Sequence, residues 1–318
     1  MGAPQQGVTV DTEDGAVRRS GRRRALLAAG GAVALAVAVS GAGVAARGTG
    51  ELHIPAAGAT TCLRVAVFAA LAVHLGELAG VRLAGPGALP RALSLWAALG
   101  GAAASAGQIA LLADVSGLDL TATYGTRDGG LLLAMANGFA LAAGCVALGR
   151  PGWAAAPLAL VVGAEAMRAH PEPYTPELGI ALTVVHLTAA SLWAGGLAYV
   201  LRTMRLRRGG RDALARYARL AGWLYVALAV TGTCSALRRL PADVVVTTAY
   251  GRLLLAKLAL VAVASALAVT ARRRLRRAGD ATTPARAELA VLALVVVVSA
   301  LLTVVPDPHW VSLRLGLR

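Results

Sequence analysis

Charge and aromatic side chains are scarce in this sequence. Only 15% of its 318 residues are Asp, Glu, Lys or Arg and 57% are hydrophobic, whereas an ordinary soluble domain carries about 25% charged residues. The mean hydropathy of +0.66 points the same way, away from a soluble globule of this length. Thirteen aromatics, 4% of the chain, are too few to build a stacking platform for bases. The three cysteines, Cys62, Cys145 and Cys234, show no C-x-x-C spacing, which excludes a disulfide framework or a zinc ribbon and leaves them as small apolar packing residues. Lys257 is the single lysine, and arginine supplies the remaining basic residues, a bias that calls for no functional reading. There is no Gly-x-x-x-x-Gly-Lys and no Asp-Lys-Thr-Gly, so the usual machinery of nucleotide-driven transport is missing.

What is present is Ala, Val, Leu and Gly in long apolar runs, and small residues of this kind let helix backbones approach closely in lipid. About 20 apolar residues cross the hydrocarbon core as a helix. Nine runs of this kind lie near 25–46, 60–79, 92–113, 129–149, 152–169, 178–200, 220–238, 251–271 and 288–305. They predict an all-α polytopic transmembrane bundle of nine spans, with no separate soluble domain. The first run is read as an uncleaved anchor, and cleavage after Ala46 would leave eight spans. Residues 1–17 are polar and without periodicity, which predicts a disordered start within a basic tail over 1–24. The membrane part then divides into 25–170, with five spans, and 171–318, with four.

The net charge of +15 is explained by orientation. Short cytoplasmic loops hold the excess of arginine, and with the N-terminus inside and the C-terminus outside, 21 of the 31 basic residues fall in inner segments. The basic balance therefore needs the lipid bilayer as partner and no nucleic acid.

Ionisable and soft side chains within spans are costly in hydrocarbon and become candidates for function. His186 lies about eight residues into its span, roughly 12 Å deep, where a neutral imidazole suits copper, zinc or haem iron. His74 and Glu77, three apart, share a helix face; they form a metal or proton pair, or else Glu77 is solvated at the inner surface. Met135 is a soft ligand within the fourth span. On the outer side stand His53, His170 and His309, with Met167 three residues before His170, and thioether beside imidazole favours copper. Lys257 needs a partner at its depth, and Glu165 is expected to provide it. Ala190, Ala194, Gly195 and Gly196 read as a helix-packing seam.

Three segments of the C-terminal part carry a family resemblance: His186 to Gly196, reading H-L-T-A-A-S-L-W-A-G-G; Arg216-Tyr217-Ala218-Arg219-Leu220 with Thr231-Gly232 in the following span; and Thr248-Ala249-Tyr250-Gly251-Arg252-Leu253-Leu254-Leu255-Ala256-Lys257. An Arg-rich loop with Glu288 opening a last span follows in order. Over about 178–305 the sequence resembles the copper resistance D (CopD) family of bacterial inner-membrane proteins. That resemblance implies copper transport, usually as uptake, with a CopC-like periplasmic chaperone as donor. It also makes His186 the family's intramembrane histidine. The family's Gly-His-Ala near the end of the preceding span is replaced here by Gly163-Ala164-Glu165-Ala166-Met167-Arg168-Ala169-His170. The chaperone is expected to be a separate protein, since no stretch is long enough for a fused copper domain.

The function expected is thus copper transport or handling, not an enzymatic activity, with His186, His170, Met167, His53, Met135 and His74 as metal ligands. Two alternatives stand beside it. One is a haem-binding membrane cytochrome, against which the unequal depths of His74 and His186 count. The other is a non-transporting factor for copper delivery to a respiratory oxidase.

Overall fold

A computed structural model describes residues 10–51, 54–85, 93–169, 175–206 and 211–308. It is an all-helical bundle: α1 (Val10–Ala45), α2 (Ala57–Ala84), α3 (Ser94–Ser116), the short α4 (Leu120–Gly125), α5 (Arg127–Ala147), α6 (Ala155–Arg168), α7 (Pro176–Leu206), α8 (Arg211–Arg239), α9 (Ala249–Arg276) and α10 (Thr282–Leu302). Among the described residues, eight helices are long and apolar enough to cross a membrane. The ninth expected span is the 14-residue α6, which a 3-10 turn at Pro151–Ala154 leads into. It runs back along α5, because Arg127 at the start of α5 donates to the carbonyl of Met167 at the end of α6, 2.7 Å away. α1 begins at Val10, so part of the expected disordered tail is helical. That stretch holds no proline, and Asp11, Glu13 and Asp14 precede the arginines, the order the helix dipole favours.

Helix ends are written in the sequence. The Asp119 carboxylate accepts from the Ala122 amide, and the Thr126 and Thr248 hydroxyls accept from Gly129 and Gly251, capping α4, α5 and α9. Leu148, Trp153, Trp223 and Leu237 stand exposed on the bundle surface, as lipid-facing residues should. Arg150 lies 4.9 Å over the ring of Trp153.

The interior is divided among three main apolar clusters. One joins α2, α3, α5 and α6 around Leu71, Leu132, Met135 and Phe139. The second joins α7 to α10 around Trp193, Leu197, Val200 and Leu292. The third seats α1 against α9 and α10. The two larger clusters meet along α2 and α7, where Gly76 and Gly195 face each other. A Cβ on Gly195 would strike the Ala72 carbonyl oxygen, so only glycine allows this approach. The expected packing seam of α7 is therefore the place where the halves of the bundle join.

Polar bonds form two belts, one at each end of the bundle. Arg64, Gln108, Glu165 and Arg168 lie at one end, together with Arg239, which donates to the Ala169 carbonyl. Glu77, Arg202 and Arg216 lie at the other, with Arg216 donating to the Leu83 carbonyl. The belts show that the helices alternate in direction.

Candidate functional site

His186 lies ten residues into α7, about 15 Å along its axis, and is half-buried. Its Nδ1 is 2.9 Å from the Thr231 hydroxyl of α8. That hydroxyl donates its own hydrogen to the Ala227 carbonyl, 2.7 Å away. Thr231 can then only accept from the ring, so Nδ1 carries the proton and the Nε2 lone pair is left for a metal. Gly232 brings the α8 backbone close to the ring: a Cβ there would stand 3.4 Å from His186 Cε1. The charge of Lys257 on α9 bears on the imidazole. Two helices, α7 and α8, thus meet at one ligand-competent nitrogen.

The remaining sequence candidates are spread apart. Met135 is fully buried among the apolar residues of α5 and its neighbours. Met167, in the last turn of α6, is 43% exposed. His74 is fully buried on α2. His53, His170 and His309 lie outside the described residues. Among the described residues no group of three or more His, Cys, Asp or Glu is placed to hold a metal ion. Of the cysteines, Cys62 and Cys145 are half-buried and Cys234 is exposed.

Two pairings differ from the sequence expectation. Glu77 is not solvated: it is 2% exposed and accepts from Arg202 at 2.7 Å, from the Ser94 hydroxyl at 2.7 Å and from the Ser94 and Leu93 amides. The start of α3 and the end of α7 fold over it, which depth alone could not reveal. Glu165 does not pair with Lys257, because it is held by Arg64 at 3.4 Å and Arg168 at 3.0 Å. Two arginines at the same level outcompete a lysine on a helix with which α6 makes no sizeable contact.

Sequence reasoning missed a third polar arrangement. The Trp193 indole donates to Glu288 Oε1 at 2.9 Å, the Tyr217 hydroxyl donates to the Trp193 carbonyl at 2.9 Å, and Tyr225 packs edge-on against Trp193 with ring centroids 6.1 Å apart. Trp193 is seven residues from His186, two turns along the same face of α7. That spacing was the available signal.

In comparison with known proteins, residues 211–305 match the family described as Copper resistance protein D. No curated protein and no solved structure matches the chain. The matched segment covers α8, α9 and α10 and so includes Thr231, Lys257 and Glu288, while His186 stands just upstream on α7. With its helical membrane architecture and this segment, the chain is a multi-pass membrane protein whose α8–α10 region is similar to the family described as Copper resistance protein D.

Proposed function

We propose that the protein carries copper across the bacterial cytoplasmic membrane, with the N-terminus inside and a separate CopC-like periplasmic protein as donor. The family of the α8–α10 segment links the chain to copper resistance. The single observation that carries the reading is the Thr231 bond to His186, which leaves an imidazole Nε2 free as a ligand inside the membrane.

In this reading Met167, His53 and His170 serve as outer-side ligands that capture the ion, and His186 passes it inward. The thioether and imidazoles suit copper as cargo. Lys257 opposes a second positive charge at His186, so the ion is held weakly, as conduction requires. Met135, enclosed in its apolar cluster, and the fully buried His74 are candidate ligands deeper in the bundle.

Copper accumulation decides the matter. Cells expressing the wild-type protein are expected to accumulate more copper across a concentration series than cells lacking it. The variant His186→Ala, present in the membrane at equal amount, should abolish the difference. Equal accumulation in all three strains defeats the proposal.

A further inference from the structure

Between α7, α8, α9 and α10 lies a cavity of about 570 Å³, walled by Trp193, Tyr217, Tyr225 and Ser265, with Arg272 at its rim and Glu288 on its wall. The exposed lining residues run from Tyr225, Ala266 and Val269 to Arg272 and Arg273, so the cavity opens sideways between α8 and α9 and reaches the end of the bundle where α9 finishes and α10 begins. Glu288 itself is 3% exposed.

The described residues contain three buried glutamates, and two of them are neutralised. Glu77 has Arg202 and Glu165 has Arg64 and Arg168. Glu288 has no arginine or lysine within ion-pair distance among the described residues. Its Oε1 accepts from the Trp193 indole, and no other bond to it is seen. A carboxylate left without a counter-charge in hydrocarbon is costly. A carboxyl group is not: its carbonyl oxygen still accepts from Trp193, while its O–H is left for the cavity that Glu288 lines.

The chemistry of the walls selects the ligand. A calcium or magnesium ion needs six or more oxygen donors, and the side chains lining this cavity offer one carboxylate and the hydroxyls of Tyr217, Tyr225, Ser265 and Thr270, of which Tyr217, Ser265 and Thr270 already donate to carbonyls. Copper needs sulfur or imidazole, and the lining contains neither. A proton needs only one lone pair.

We propose that Glu288 is a proton-binding site, exchanging its proton with the Arg272–Arg273 end of the bundle through this cavity. The carboxyl O–H breaks heterolytically, the proton passes to water in the cavity as hydronium, and the carboxylate takes it back by the same route. The titratable, charged and indole groups that share the cavity with Glu288 are Tyr217 and Tyr225 from α8, Trp193 from α7, and Arg272 and Arg273 from α9; α1 and α2 also pack on α10 but contribute nothing to the lining among the described residues. The site stands whether or not copper is the cargo.

The test is modification by dicyclohexylcarbodiimide, an apolar reagent that attacks carboxyl groups in their protonated form within membranes. Wild-type protein in membrane vesicles of each orientation is labelled over a pH series on either side, and the adduct is located by peptide mass spectrometry. The expected result is one adduct, on Glu288, that declines as pH rises on the Arg272–Arg273 side, ignores pH on the other side and is lost in Glu288→Gln. Glu77 and Glu165, paired with arginine, stay unlabelled as internal controls. Absence of an adduct on Glu288 at every pH overturns the proposal, as does an adduct governed by the opposite side or insensitive to pH. These outcomes are read on the wild-type chain and do not depend on how well the variant folds.

Discussion

His186 and Thr231 are joined across 45 positions of sequence, Nδ1 to hydroxyl, at 2.9 Å. The bond does more than fix a rotamer, because the same hydroxyl is committed to Ala227 and so dictates which ring nitrogen bears hydrogen. Thr231→Val keeps the side-chain shape and removes the acceptor. Copper transport should fall by about 10- to 100-fold, the usual cost of losing the partner of a metal-binding histidine. Thr231→Ser should retain most of it. Uptake assays on the two variants, at matched membrane levels, check the contrast.

Lys257 predicts the opposite sign. Replacing it with Gln removes the charge that bears on His186 and should raise the copper retained by purified protein, while turnover slows because release becomes the slow step. Metal analysis and uptake rate, measured on the same preparation, must move in opposite directions.

Glu77 carries a stability prediction. Its carboxylate satisfies Arg202, the Ser94 hydroxyl and the amides that open α3. Glu77→Ala leaves these donors buried without an acceptor, at a cost of about 3–5 kcal/mol. Thermal unfolding in detergent should show a large loss, with copper binding at His186 preserved in the fraction that stays folded.

Gly195→Ala tests the junction of α2 and α7. The added methyl meets the Ala72 carbonyl, so the helices must separate, costing about 1–3 kcal/mol. The neighbouring Gly196→Ala approaches only the Tyr217 ring, at 3.3 Å, and should be milder. A cysteine pair introduced across the α2–α7 seam would show the difference as reduced crosslinking in the Gly195 variant.

Asp280, in the turn before α10, gives a pH prediction. The Thr283 hydroxyl and the Thr282 amide hold its carboxyl below the ordinary aspartate range. A depressed folded-state value stabilises above the ordinary range and is lost as pH falls through the folded value. The stability difference between wild type and Asp280→Ala should therefore be present at neutral pH and vanish on acidification, as followed by thermal unfolding across pH.

How far these features could be read in advance depends on what a linear pattern encodes. Apolar runs mark crossings directly, so α2, α3, α5 and α7 to α10 fall close to where the sequence predicts them. Depth along a span is also legible, and it places His186 and Lys257 inside their spans. Direction around the helix axis is not. Glu165 and Lys257 looked like partners by depth, yet Glu165 faces Arg64 of α2 and has Arg168 one turn away on its own helix. Glu288 was hidden for a related reason: following Arg286 near the start of a span, it reads as interfacial, and only the fold of Trp193 over it shows that it is enclosed. The shortness of α6 was invisible because the 3-10 turn at Pro151 continues the apolar run without a break in composition.

The bonds to Glu77 also set a timetable. Ribosomes deliver α2 to the membrane long before α7 exists, so the carboxylate first meets the Leu93 and Ser94 donors, 16 and 17 residues later in the chain. Its counter-ion, Arg202, arrives only 125 residues downstream. Through that interval the nascent protein holds an incompletely neutralised acid in or near lipid. The ion pair that closes the polar site between α2 and α3 is thus complete only once α7 is in place.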